Sequence, residues 1–101
     1  MINLKDKKSF VEKKVEGGKL VQIEVKYNEN EILDVKLSGD FFIYPESEAS
    51  TIEKSLEKKP VDKTVEEFKE IINIKLDSKT ELLGFNTETV AQLVKEAISD
   101  E

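Results

Sequence analysis

The sequence predicts an α+β domain: an N-terminal antiparallel sheet of about three strands, followed by about three helices packed on one of its faces. Two observations predict it. Apolar residues recur at every second position as far as Pro45, and at every third or fourth position beyond it. Strands first and helices after, without the alternation that builds a parallel sheet, place the helices together over the sheet's apolar side. At 101 residues the chain has the length of one domain, and no repeat, low-complexity tract or Pro/Gly/Ser-rich linker divides residues 1–101. Nine residues each of Ile, Leu and Val, with five Phe and two Tyr, supply its core.

The elements follow in order. A first strand lies across Phe10–Val15 and ends at Gly17-Gly18; its poor alternation suits an edge position. In the second, Val21, Ile23, Val25 and Tyr27 alternate with Gln22, Glu24 and Lys26, the period of a half-buried strand. Asn28-Glu29-Asn30-Glu31 is a turn, because Asn tolerates left-handed backbone and bonds its own chain. Leu33, Val35 and Leu37 then resume the apolar face, and alternation carries on until Pro45 closes the last strand. Ala49, Ile52 and Leu56 mark a first helix, stopped by Lys59-Pro60. Val61, Val65, Phe68 and Ile72 mark a second, capped by Thr64-x-x-Glu67 or by Asp62. Asn86 caps the last, whose face is Val90, Leu93, Val94, Ala97 and Ile98.

Composition excludes whole classes of chemistry. The net charge is −6, there is no Cys, His or Trp, and every one of the 16 cations is Lys. Without Cys there is no thiol nucleophile or thiolate metal site, and without His no imidazole base. Without Arg there is no planar fork for bidentate phosphate binding. A self-sufficient enzyme is not expected. An acidic chain with few aromatics is a poor ligand for nucleic acid. With no apolar run near ~20 residues and no leader-like start, the expectation is a cytoplasmic protein without a membrane partner. The charge is uneven: residues 1–19 carry +3, residues 20–45 carry −3 and residues 46–101 carry −6.

Three features have the chemistry to carry function. Gly17-Gly18-Lys19 is either a tight turn with a solvated Lys, or a place where backbone approaches a ligand with a cation beside it. Ser38-Gly39-Asp40-Phe41-Phe42-Ile43-Tyr44-Pro45 packs large apolar side chains in succession. If Phe41 and Ile43 face the core, then Phe42 and Tyr44 point the other way, to be covered by a helix or by another protein. Gly39 within that run suggests a bulge or a close backbone approach. Third, Glu46, Glu48, Glu53, Glu57, Glu66, Glu67 and Glu70 line the helices; their spacing matches no metal motif and suits a solvated face paired with Lys.

Val15-Glu16-Gly17-Gly18-Lys19-Leu20-Val21, a hairpin, and then Val35-Lys36-Leu37-Ser38-Gly39-Asp40-Phe41-Phe42-Ile43-Tyr44-Pro45-Glu46 resemble the small C-terminal accessory domain of lipoate–protein ligases, across roughly residues 13–58. These ligases use ATP to make lipoyl-adenylate and then lipoylate a lysine of an acceptor domain. The resemblance implies an accessory subunit of a two-part ligase, inactive alone and paired as a heterodimer with a separate large catalytic subunit, which alone holds the catalytic residues. It implies that Gly17, Gly18 and Lys19 support the adenylation site, and that Ser38, Gly39, Asp40, Phe41, Phe42 and Tyr44 form the partner interface. ATP, magnesium and lipoate are then expected in the complex, with no cofactor or metal held by this chain alone. Lipoyl acceptor domains are indirect partners. The implied fold is also similar to iron–sulfur scaffold proteins, whose activity needs the Cys that this chain lacks. The competing expectation is a non-enzymatic interaction module on the same strand-then-helix plan.

Overall fold

The computed structural model describes residues 6–15, 17 and 19–99. Its elements run β1 (Lys7–Lys14), β2 (Leu20–Tyr27), β3 (Ile32–Gly39), β4 (Phe42–Tyr44), α1 (Glu48–Leu56), α2 (Val65–Lys75), β5 (Glu81–Leu83) and α3 (Thr87–Ile98). The first three strands form an antiparallel sheet in the order β1-β2-β3, so β1 holds the expected edge position. In the central strand the period-two pattern puts Val21, Ile23, Val25 and Tyr27 on one buried face. All three helices lie on that side of the sheet, two of them directly against it. α3 packs across β1 and β2, α1 packs against β3, and α2 packs against both other helices. Ile52 and Leu56 of α1, Phe68 and Ile72 of α2, and Val90, Leu93, Val94 and Ala97 of α3 complete one core.

Two details depart from the sequence pattern. First, a bulge interrupts the β2–β3 ladder: Lys26 pairs with Asp34 while Tyr27 pairs with Ile32. Leu33 is the extra residue, so the phase of β3 shifts there. Ile32 takes the core position expected for Leu33, which is only half-buried. Second, alternation does not carry one strand through to Pro45. β3 stops at Gly39, and β4 leaves the sheet to pair with β5, giving a separate two-stranded antiparallel sheet that local periodicity does not announce.

Local chemistry fixes the helix starts. Thr64, rather than Asp62, caps α2 in a reciprocal box: the Glu67 N–H donates to the Thr64 hydroxyl (3.1 Å), and the Thr64 N–H donates to the Glu67 carboxylate (2.8 Å). Asn86 caps α3, its Oδ1 accepting from the Thr89 N–H at 2.8 Å. Val61, expected in the α2 stripe, lies before the helix, with its N–H donating to the Asn30 carbonyl (3.1 Å).

The outer edge of β3 is closed near both ends by the chain itself. The Leu37 N–H donates to the Glu53 carboxylate of α1 (2.7 Å). The Ile32 N–H donates to the Lys59 carbonyl (2.9 Å), and the Lys58 N–H donates to the Ile32 carbonyl (2.7 Å). Lys58 reaches that position with a φ of +67°, left-handed backbone that a non-glycine residue rarely adopts.

Candidate functional site

The β1–β2 turn is closed by the Val15 N–H donating to the Lys19 carbonyl (2.8 Å). Gly17 stands at its tip with φ +93° and open space where a side chain would go. Gly18 and Glu16 lie outside the described residues. Lys19 is half-buried, and its aliphatic stem runs against Gly84: a Cβ there would come within 3.1 Å of Lys19 Cγ. The turn is thereby brought onto the link between β5 and α3, which are distant in sequence.

At the same end of the sheet, Gly39 lets β3 close onto the start of β2. A Cβ at Gly39, where φ is +145°, would overlap the Leu20 carbonyl oxygen, and the next residue, Asp40, donates its N–H to that oxygen at 2.7 Å. Gly39 is thus a close backbone approach, one of the two roles its place in a strand pattern suggests. Beyond it Phe41 turns inward against the core, its ring 4.3 Å from that of Phe85. Ser38 and Asp40 remain exposed, and the Ser38 hydroxyl lies 3.5 Å from Gln22 Oε1.

The two-stranded sheet then sorts its side chains by face. Ile43 is buried and Leu82 is half-buried against the core. Phe42 and Tyr44 are 57% and 48% exposed, with their rings stacked at 6.4 Å. The ladder sets Leu83 opposite Phe42 and Glu81 opposite Tyr44, so exposed Leu83 extends the same outer face. Among the described residues no helix covers Phe42 and Tyr44. The outcome is a strip of three large apolar side chains in water, bordered by Glu81, which is the character of a protein-contact patch.

Next to this strip in the chain lies an open cleft of about 420 Å³, lined among others by Lys13 and Lys14 of β1 and by Gly84, Phe85, Asn86 and Thr89. The Lys13 ammonium donates to Gln92 Oε1 at 3.3 Å, and Asn86 Oδ1 is engaged by both the N–H and the hydroxyl of Thr89. The described lining supplies positive charge from Lys13 and Lys14. Sequence reasoning missed Leu83, Gly84 and Phe85; the short apolar run Glu81-Leu82-Leu83-Gly84 ahead of the Asn86 cap was the available strand-and-turn signal.

The acidic helices carry structural carboxylates. Glu48 accepts from the hydroxyls of Thr51 and Thr80 (2.6 Å each) and from the Asp77 N–H (3.0 Å). These donors, the Thr51 hydroxyl foremost, hold its carboxyl below the ordinary glutamate range. The Thr64 N–H does the same for Glu67. Among the described residues no group of three or more acids converges on a metal position, and no helix is long and apolar enough to cross a membrane.

No family model and no curated protein matches the chain. A solved structure does: a chain from an archaeal lipoylation system, a bi-partite lipoate protein ligase and its E2 lipoyl domain from Thermoplasma acidophilum. The match has a TM-score of 0.72 at 22% identity, and covers 88% of this chain and 96% of that one. Strands, helices and the small second sheet described above therefore make up a fold shared, nearly end to end, with a chain of that archaeal lipoylation system.

Proposed function

We propose that this chain is the accessory subunit of a two-part, ATP-dependent lipoate–protein ligase. One observation carries the reading: the fold is shared over 96% of a chain from a bi-partite ligase system. The residue inventory supports it, since a chain without Cys, His or Arg suits a subunit whose chemistry resides in another polypeptide. In this reading the large subunit forms lipoyl-adenylate and transfers the lipoyl group to acceptor-domain lysines. This chain completes the adenylation-competent assembly and is inactive alone.

The outer face of β4–β5, with Phe42, Tyr44 and Leu83, meets the large subunit, together with exposed Ser38 and Asp40. Gly39 and Phe41 shape that surface from below, and Gly17 and Lys19 lie toward the shared site. Lys19 contributes positive charge, as a point charge rather than a fork, toward an anionic group held there. The described residues do not fit a magnesium site, since hard cations need several converging oxygens and none converge. In this reading metal and nucleotide are held by the large subunit.

The test mixes this chain with a candidate large subunit, lipoate, ATP and magnesium, and measures lipoyl-adenylate. The expected outcome is adenylate only when both chains are present. Equal formation without this chain overturns the reading and leaves an interaction module of the same fold.

A further inference from the structure

We propose that the free edge of β1 is a docking site for an extended acidic strand of a partner protein, added antiparallel to it as the outermost strand of the sheet. The proposal rests on the sheet alone and stands whether or not the chain serves lipoylation.

The backbone is the first argument. The Val15–Lys19 bond fixes which β1 residues face β2, because hydrogen-bonded pairs alternate in an antiparallel ladder. Lys7, Ser9, Val11 and Lys13 bond to β2. The N–H and C=O groups of Lys8, Phe10, Glu12 and Lys14 therefore point away from it, and among the described residues nothing pairs with them. The other edge of the same sheet is treated in the opposite way, being closed at Leu37 by Glu53 and at Ile32 by Lys58 and Lys59. An unclosed edge eight residues long is a template for a strand of another chain.

Charge names the occupant. β1 reads Lys-Lys-Ser-Phe-Val-Glu-Lys-Lys, with lysines at both ends and a Phe-Val centre. Because opposed residues share a face, a second copy docking antiparallel would set Lys8 against Lys14 when centred on Val11, or Lys7 against Lys13 when centred on Phe10, a like-charge pair at each end of the ladder in either register. A strand acidic at both ends and apolar in the middle reverses each of those contacts. It places carboxylates opposite Lys8 and Lys14 on the outer face and opposite Lys7 and Lys13 on the helix side, with an apolar residue beside exposed Phe10. The same lysines repel basic strands, so one arrangement both selects and excludes.

The probe is the capped peptide Glu-Glu-Lys-Val-Tyr-Thr-Glu-Glu, added to the isotope-labelled full chain with amide exchange followed by NMR. Slowed exchange at Lys8, Phe10, Glu12 and Lys14 is expected, with Ser9, Val11 and Lys13 little changed. The charge-swapped peptide Lys-Lys-Glu-Val-Tyr-Thr-Lys-Lys is expected to bind roughly tenfold or more weakly. In a chain carrying Lys7→Glu and Lys14→Glu, both at exposed positions, each end presents one Glu and one Lys, and the preference between the two peptides is expected to be largely lost. No protection at the four outward amides, equal binding of the two peptides, protection mapping to β4–β5 instead, or pairing of the chain with itself through β1 would each overturn the proposal.

Discussion

At Gly39 two strands approach more closely than a side chain permits. Alanine there meets the Leu20 carbonyl and is forced to a φ of +145°, so Gly39→Ala is expected to cost about 3 kcal/mol in urea unfolding. Gly17 has space around it and only its own backbone preference to lose, so Gly17→Ala is expected to cost about 1 kcal/mol. Phe42 and Ile43 form a second contrast, between neighbours on opposite faces of one strand. Phe42→Ala is expected to change stability by less than about 0.5 kcal/mol while weakening pairing with the large subunit proposed for it about tenfold. Ile43→Ala, at a buried position, is expected to cost about 3 kcal/mol of stability. Melting temperature beside a pull-down titration separates the two outcomes; a large loss of stability in the Phe42 variant would place that ring in the core. At this scale the sequence was informative about type and silent about partner. A glycine inside a strand pattern signals close approach, but nothing local says that Leu20 is what it approaches.

Among the elements, α1 holds the second sheet in place. Glu48, in its first turn, grips the Asp77 N–H and the Thr80 hydroxyl, and so ties the loop ahead of β5 to the helix that follows β4. Its carboxyl, like that of Glu67, titrates below the ordinary glutamate range in the folded chain. A depressed folded value means that the contribution is fully present above the unfolded value and fades as pH falls through the folded one. The expected outcome is that Glu48→Gln lowers the melting temperature at neutral pH, and that the gap from wild type narrows below about pH 4. A gap constant with pH would show that the carboxylate's charge is not what holds the loop. The capping residues Thr64, Glu67 and Asn86 were legible because a cap is a contact within a single turn. β5 was not, because three residues gain strand character only through β4, nearly forty positions upstream. The bulge at Leu33 escaped for the same reason: its phase shift is set by the closure of Ile32 on Lys58 and Lys59, outside the strand itself.

For the molecule as a whole, the switch in period near Pro45 carried the fold class, and the strands-then-helices plan is what the chain adopts. The Gly-Gly-Lys and Gly-Asp-Phe-Phe segments, far apart in sequence, converge at one end of the sheet through Gly84 and the Phe41–Phe85 contact. That convergence was beyond reach in a linear reading, since the segments lie in separate loops and meet only once α3 is docked. The contrast between the two edges of the main sheet has a further outcome for assembly. Growth by adding strands needs two open sides, one to receive and one to offer, and among the described residues this sheet is open along β1 and shut at Ile32 and Leu37 on its other side. Strand addition through this sheet therefore ends after one added strand.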